Sequence, residues 1–457
     1  MLSKINNERI AHNFFFLLLT LVVPFVGFCL KDTSIAFIGI GLSTITKLLL
    51  TCDIRLFLTD LMLPFIVTRG PFTFEQFPTT LVLLYVLMIL SILLIPFKNR
   101  VLNGKKKLNK GMLFNSFLVM GIVLFLSPIV RNIFYNEPAF PDHQGAYNIV
   151  YGYIGGIGAL LLPLLMVLIS TYKTDDKSPI PDLMYAFGLF LLLELGYTMF
   201  IEKVPFHEAL TFSGIGWCNK NSYMIIFELT LPFMAYIFSK NFKRVDTLLV
   251  LLLSIILGLA SDSRAGQITL IIGVPFLICL LVPRVKHYKV FMVLAFIATY
   301  AIQIAAVYFI PALNESIKRL FDSIFNNDSV TDILTGRDIF WQWINDYVFH
   351  NPKHLMFGGS FSYLFEMNQA FINGTEINMW LAHNSFMTFL AIGGVLGLCS
   401  LILHYIDVTF HIFKQKNTSK LLIFTFVLIG LIHGLGDNTF YNIQFMLPYI
   451  FVLQDAS

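Results

Sequence analysis

Long apolar runs, separated by shorter polar segments, make up most of the chain. They cover residues 14–30, 35–50, 56–67, 80–96, 112–130, 149–172, 183–200, 223–238, 248–259, 268–281, 290–313, 385–406, 421–432 and 440–453. A helix that crosses a bilayer perpendicularly needs about 20 residues, so runs 56–67 and 421–432 are the doubtful members. The pattern predicts about 12 to 14 transmembrane helices, and the lack of strict alternation argues against transmembrane strands.

The composition supports a membrane protein. Hydrophobic residues make up 57% of the chain and charged residues only 13%, which is below the usual share in a soluble protein. The first run lacks a small-residue cleavage site, which favours a retained helix over a removed signal peptide. The five cysteines are scattered and form no CxxC pair, which argues against a disulfide framework and a zinc site. We therefore expect an all-α polytopic integral membrane protein.

The distribution of lysine and arginine predicts the orientation in the membrane. With the N-terminus in the cytoplasm, most of the 31 basic residues, including those of segment 105–110, lie in cytoplasmic segments. This topology places Arg264, loop 314–382 and His383 on the extracytoplasmic side. It also accounts for the net charge of +4 without a nucleic-acid partner.

Loop 314–382 divides the chain into unequal parts. We distinguish an N-terminal transmembrane bundle (1–209), central transmembrane helices (210–313), the loop itself and C-terminal transmembrane helices (383–457). Loops of this length are usually functional or disordered. This loop is rich in phenylalanine, tryptophan and leucine, which disfavours disorder.

Three polar side chains stand at predicted helix starts on the extracytoplasmic side: Arg264, Arg337 and His383. The side chains available to cap these helices are Ser261 or Ser263, Thr335 with Asp338, and Asn384 or Ser385. The helix that contains Arg337 is predicted to stop at Asn351-Pro352 and to carry one apolar face, formed by Phe340, Trp341, Ile344, Tyr347 and Val348.

A cation in the first turn of a helix is unfavourable beside the positive end of the helix dipole. The placement is understandable where the guanidinium and the free backbone N–H groups hold an anion together. A lipid-linked diphosphate suits this geometry, because fixed cations stabilise the charge that grows on it as it leaves, without a metal. A neutral His383 could take the proton from an attacking sugar hydroxyl.

Structural explanations remain open for the same residues. Extracytoplasmic arginines also contact lipid phosphates, and a histidine at a membrane interface is often a hydrogen-bonded boundary residue. Trp341 and Trp343 can stack on sugar rings or lie at the interface as tryptophans commonly do. Charged residues inside the predicted spans are functional by default, although ion pairs or shortened spans also explain them; they are Lys47, Asp60, Glu194 and Glu228.

The second half of the chain, about residues 210 to 410, resembles the O-antigen ligase and O-antigen polymerase family of bacterial envelope enzymes. The resemblance lies in Ser263-Arg264-Ala265-Gly266, Gly336-Arg337 followed by Trp341, Asn351-Pro352 leading to Gly358-Gly359, and Ala382-His383-Asn384-Ser385-Phe386 continuing to Gly393-Gly394-x-x-Gly397. A looser match is Trp217-Cys218-Asn219-Lys220-Asn221. The chain departs from the family where Ala265 precedes Gly266 and where Lys220 stands in place of an expected arginine.

The resemblance implies a multi-spanning glycosyltransferase of the bacterial inner membrane that uses an undecaprenyl diphosphate-linked oligosaccharide as donor. It implies that Arg264 and Arg337 bind the diphosphate, and that His383 is the base or positions the glycan acceptor. The substrate-binding residues that it suggests are Asn384, Asn219, Asn221, Lys220 and Trp341. No cofactor or metal is expected, and the partners would be membrane lipids and a chain-length regulator.

Two functions within the family and one outside it remain open. A polymerase joins repeat units, whereas a ligase transfers the finished chain to lipid A core. We favour the polymerase because it occurs in many types of envelope. A flippase or transporter would explain many spans, but it should show two related halves, and the sequence has no such repeat.

Overall fold

The computed structural model describes residues 2–67, 79–111, 113–134, 145–174, 178–205, 220–261, 263–281, 288–309, 337–364, 366–367, 382–414, 419–437, 439–440 and 443–455, with isolated positions between 311 and 322. Within these ranges the ordered elements are all helical and no strand occurs. Among the described residues, six helices are long and apolar enough to cross a membrane. The chain is therefore an all-α polytopic membrane protein, as the hydrophobic pattern predicts.

The helices follow the predicted apolar runs closely. The first half contains α1 (Leu2–Ala11), α2 (Phe14–Cys29), α3 (Thr33–Leu50), α4 (Leu58–Met62), α5 (Pro64–Val67), α6 (Thr79–Asn103), α7 (Phe114–Ile129), α8 (Gly145–Thr171) and α9 (Ile180–Phe200). The second half contains α10 (Lys220–Lys240), α11 (Val245–Leu259), α12 (Arg264–Leu281), α13 (Tyr288–Phe309), α14 (Arg337–Phe349), α15 (Pro352–Phe357), α16 (Ser385–Lys414), α17 (Ser419–Gly436) and α18 (Ile443–Asp455).

The two doubtful runs have different outcomes. Run 421–432 is part of α17, whose 18 residues extend beyond it at both ends. Run 56–67 does not form one helix: a 3₁₀ turn (Ile54–Phe57) leads into the short helices α4 and α5, and all three are buried. A broken backbone at membrane depth is tolerated where it is buried in protein.

A buried ion pair lies beside this broken segment. Lys47 Nζ is 2.6 Å from Asp60 Oδ1, and neither side chain is exposed to solvent. Ser43 and Thr44 donate hydrogen bonds to the Asp60 carboxylate, and Lys47 donates one to Thr59 Oγ1. Lys47 and Asp60 therefore form an ion pair with each other, which is one of the structural explanations that the sequence left open for charges inside the predicted spans.

One end of the bundle is closed by a polar network. The Arg55 guanidinium binds Asp53 at 2.6 Å and Asp455, near the end of α18, also at 2.6 Å. Burial would raise the pKa of the Asp53 carboxyl, but hydrogen bonds from His12 and Arg55 hold it well below its usual range. Thr174 donates a hydrogen bond to Asp53 as well. The network joins segments that lie far apart in the sequence.

Helix α16 is interrupted at Gly394, whose φ of +61° lies in the left-handed region. The turn after α15 crosses α16 at this point, and the Gly359 N–H donates to Ala391 O at 2.9 Å. A Cβ on Gly394 would lie 2.6 Å from the Gly358 nitrogen, so both glycines are needed for the approach. Arg131 binds the Gly359 carbonyl and also pairs with Glu366. These contacts hold residues 358–364 of the predicted loop against the bundle.

Candidate functional site

The predicted start of α12 and the predicted stop of α14 are confirmed. Helix α12 begins at Arg264, and Ser263 Oγ accepts a hydrogen bond from the Gly266 N–H at 3.2 Å. Helix α14, which is described from Arg337 onward, ends at Phe349, just before Asn351-Pro352. Its apolar face turns inward as predicted, with Ile344 and Val348 fully buried.

Asn384 is the residue that caps α16. Its Oδ1 accepts hydrogen bonds from the N–H groups of Phe386 at 2.9 Å and Met387 at 3.1 Å. Ser385, the alternative cap, is buried and instead bonds to Thr439. The Asn384 amide also donates to Leu435 O at 3.0 Å. A single side chain therefore starts α16 and holds it against the end of α17.

The C-terminal end of α17 is the point where the candidate residues meet. Arg337 Nη1 donates to Gly436 O at 2.8 Å, and His383 Nδ1 lies 3.2 Å from Asp437 Oδ1. The first turn of α12 lies alongside, because a Cβ on Gly436 would be 3.0 Å from the Cβ of Ala265. Free carbonyl groups at a helix C-terminus attract donors and cations, which explains why this end collects them.

The two arginines influence each other electrostatically. Burial of the Arg337 guanidinium lowers its pKa, the nearby charge of Arg264 lowers it further, and Asp437 acts in the opposite direction. Two cations within electrostatic range of each other favour an anion nearby.

His383 is fixed by its surroundings on both sides. Its backbone has a φ of +49°, which is uncommon for a residue with a side chain. Trp341 Nε1 donates to the carbonyl of the preceding residue, Ala382, at 2.7 Å. The imidazole is 24% exposed and Asp437 is 15% exposed, so the pair lies at the edge of the protein interior. Contact of Nδ1 with Asp437 directs Nε2 away from the carboxylate, where it can act as an acceptor.

Of the eight predicted site residues, the structure brings Arg264, Arg337, His383, Asn384 and Trp341 to one place. Asn219 lies outside the described residues. Lys220 and Asn221 open α10, but their side chains also lie outside what the structure describes. The predicted cap at Thr335 is outside it as well.

Sequence reasoning missed two acceptors and a histidine at this site. Gly436 is the last residue of α17, the helix with the doubtful run 421–432, and Asp437 follows it directly. His433 lies one turn earlier, and its Nδ1 is 2.9 Å from Glu228 Oε2. The spacing His433-x-x-x-Asp437 at the end of a predicted span was the signal that could have found them.

This arrangement can bind an anion and can accept a proton. The arginines supply charged donors, and His383 supplies an imidazole nitrogen oriented by a carboxylate. Within the described ranges, no three histidine, cysteine or acidic side chains group as metal ligands. Comparison of the chain with protein-family models gives no match, and comparison with curated proteins gives none either.

Proposed function

We propose that the protein is a polymerase of a bacterial surface polysaccharide, such as O-antigen, capsule or exopolysaccharide, which joins undecaprenyl diphosphate-linked repeat units. The observation that carries the proposal is the convergence of Arg264 and Arg337 at the end of α17, next to the His383–Asp437 pair. Guanidinium groups suit a diphosphate, and an oriented imidazole suits the deprotonation of a sugar hydroxyl.

In the proposed reaction, the acceptor hydroxyl oxygen attacks the anomeric carbon of the lipid-linked sugar. The bond between this carbon and the diphosphate oxygen breaks, and its electron pair goes to the diphosphate. Arg264 and Arg337 stabilise the charge that develops there. The hydroxyl proton passes to Nε2 of His383, while Asp437 stabilises the imidazolium that forms.

Polymerisation is proposed over ligation because it does not require a lipopolysaccharide-bearing cell. The motifs of this site concern the donor, which both enzymes share. A transporter would also need to bind a lipid-linked diphosphate, but it would have no use for an oriented imidazole beside it.

The arginines provide the first test. In a host deleted for this gene, Arg264→Ala and Arg337→Ala should each fail to restore long-chain glycan, while the protein reaches wild-type abundance. Hydrogen bonds to charged groups are worth about 1.5–3 kcal/mol each, so each loss should weaken donor binding by about 10- to 100-fold. Arg→Lys should restore little, because a lysine cannot make bidentate phosphate contacts.

Lys353→Ala is the matched control, since Lys353 is an exposed cation in the loop that contains Arg337. It should restore glycan of wild-type length. If both arginine-to-alanine variants do the same, the two residues contact lipid headgroups and the proposal is wrong.

A further inference from the structure

Glu228 and His433 form an acid–histidine pair that the proposed reaction does not use. Glu228 on α10 and His433 on α17 are in contact through Oε2 and Nδ1, 2.9 Å apart, and their side chains are 0% and 1% exposed. The second polar atom of each side chain, Glu228 Oε1 and His433 Nε2, is buried without a hydrogen bond to any described residue. Burying such groups is costly, which indicates a role other than stability.

The Glu228 carboxyl also lies against the helix that carries the first arginine. A Cβ on Gly266 would lie 2.9 Å from Glu228 Oε1, so the carboxyl fills the space that a side chain at this position would need. Gly266 is in the first turn of α12, two residues after Arg264. Glu228 thus contacts the turn from which Arg264 projects.

His433 belongs to the last turns of α17, which hold the second arginine. The Asp437 N–H donates to His433 O at 2.9 Å, and the intervening Gly436 accepts the hydrogen bond from Arg337. His433 also lies within electrostatic range of both Asp437 and Arg337. The position of this turn therefore determines where Arg337 and the His383–Asp437 pair are placed.

We propose that Glu228 and His433 are positioning residues: their contact sets the separation between the first turn of α12, which carries Arg264, and the last turn of α17, which accepts the hydrogen bond from Arg337. The inference rests on the proposed function of those arginines. It assigns neither residue a contact with substrate. The length of the bridge matters in this account, and its charge does not, because the two turns are held apart by the reach of the side chains.

Variants that change reach and charge separately test the proposal. Glu228→Asp keeps the charge but shortens the side chain by one methylene, and should weaken the Kd for undecaprenyl diphosphate about tenfold, which corresponds to about 1.4 kcal/mol. Glu228→Gln keeps the length of the side chain without its charge, and its Kd for undecaprenyl diphosphate should stay close to that of the wild type. The Kd is measured on the purified full chain in nanodiscs, together with the melting temperature of the ligand-free protein.

The same comparison can be made from the other side of the contact. His433→Asn places an amide nitrogen near the position of Nδ1 and should bind undecaprenyl diphosphate as the wild type does. His433→Gln places the amide nitrogen further out, and its affinity for the lipid should fall about tenfold. Asp60→Asn is the control, because it removes a charge from the remote Lys47–Asp60 pair. It should lower the melting temperature without weakening the Kd.

Each outcome is informative about a different claim. If the wild type binds undecaprenyl diphosphate and Arg264→Ala and Arg337→Ala do not, the proposed function stands and the shortened variants decide the inference. Wild-type affinity in both Glu228→Asp and His433→Gln would then overturn the positioning role. Loss in Glu228→Gln with retention in Glu228→Asp would also overturn it, since charge would then matter rather than reach. If the wild type itself does not bind the lipid, both proposals fall.

Discussion

At the scale of single residues, Arg337 shows how a local conflict is resolved by a distant contact. A cation in the first turn of α14 opposes the helix dipole, and from the sequence this placement suggested an anion. In the structure its guanidinium reaches the carbonyl end of α17, where the dipole of a second helix favours it. Part of the conflict is thereby relieved, and the charge of Arg264, rather than the helix start, is what favours an anion here.

His383 carries the residue-scale prediction. His383→Gln keeps a hydrogen-bonding side chain but cannot take up a proton, and general-base assistance is typically worth about 100- to 10,000-fold. We expect turnover of purified protein to fall by at least about 100-fold, with undecaprenyl diphosphate still bound. Asp437→Asn should reduce turnover as well, because it removes the carboxylate that stabilises the imidazolium. A glutamine variant that works at nearly the wild-type rate would assign His383 to acceptor positioning only.

At the scale of elements, the break in α16 decides how the loop meets the bundle. Small residues spaced like Gly393, Gly394 and Gly397 are typical of close packing between transmembrane helices. Gly394 does allow a close approach, but of the Gly358 backbone rather than of a neighbouring transmembrane helix, and it does so in a left-handed conformation. The segment from Ser385 to this break begins beside His383, so its direction influences the site.

Gly394→Ala should therefore be strongly destabilising. The new Cβ would lie 2.6 Å from the Gly358 nitrogen in a backbone conformation, φ +61° and ψ −154°, that costs about 1–3 kcal/mol for a residue with a side chain. We expect a lower melting temperature in detergent and a loss of long-chain glycan. Two glycines serve as controls, because a Cβ added to either of them has no atom within 4 Å. Gly104→Ala shares the positive φ of Gly394, whereas Gly158→Ala has an ordinary φ. If Gly394→Ala has the same melting temperature as these two controls, the close approach of Gly358 to Gly394 does not contribute to stability.

At the scale of the whole molecule, the two ends of the bundle differ in chemistry. One end carries the network of Arg55 with Asp53 and Asp455, and segment 105–110 lies beside it, since Lys106 donates to the Lys173 carbonyl. The other end carries the candidate site. Helices α16, α17 and α18 run between these ends. The positive-inside rule assigns the lysine-rich end to the cytoplasm.

Cysteine labelling tests this orientation. In a background without the five native cysteines, Asn345→Cys on the exposed surface of α14 should react with an impermeant maleimide in intact cells, or in spheroplasts where an outer membrane is present. Lys107→Cys in the exposed lysine segment should react only after lysis. The reverse pattern would place the site in the cytoplasm and would exclude a donor displayed on the outer leaflet.

The sequence by itself determined most of the helices, run 56–67 excepted, and the polar residues beside their starts. Apolar runs, caps and stop signals depend on neighbours within about one helical turn, so the local pattern alone is enough to place Arg264, Arg337 and His383 at helix starts. Only the tertiary structure decided that these starts meet at the end of α17. The contacts responsible join residues 54, 99 and 205 positions apart: His383 with Asp437, Arg337 with Gly436, and Glu228 with His433. Such pairs leave no periodic signal in the chain, because they arise from how helices pack and not from how each one forms.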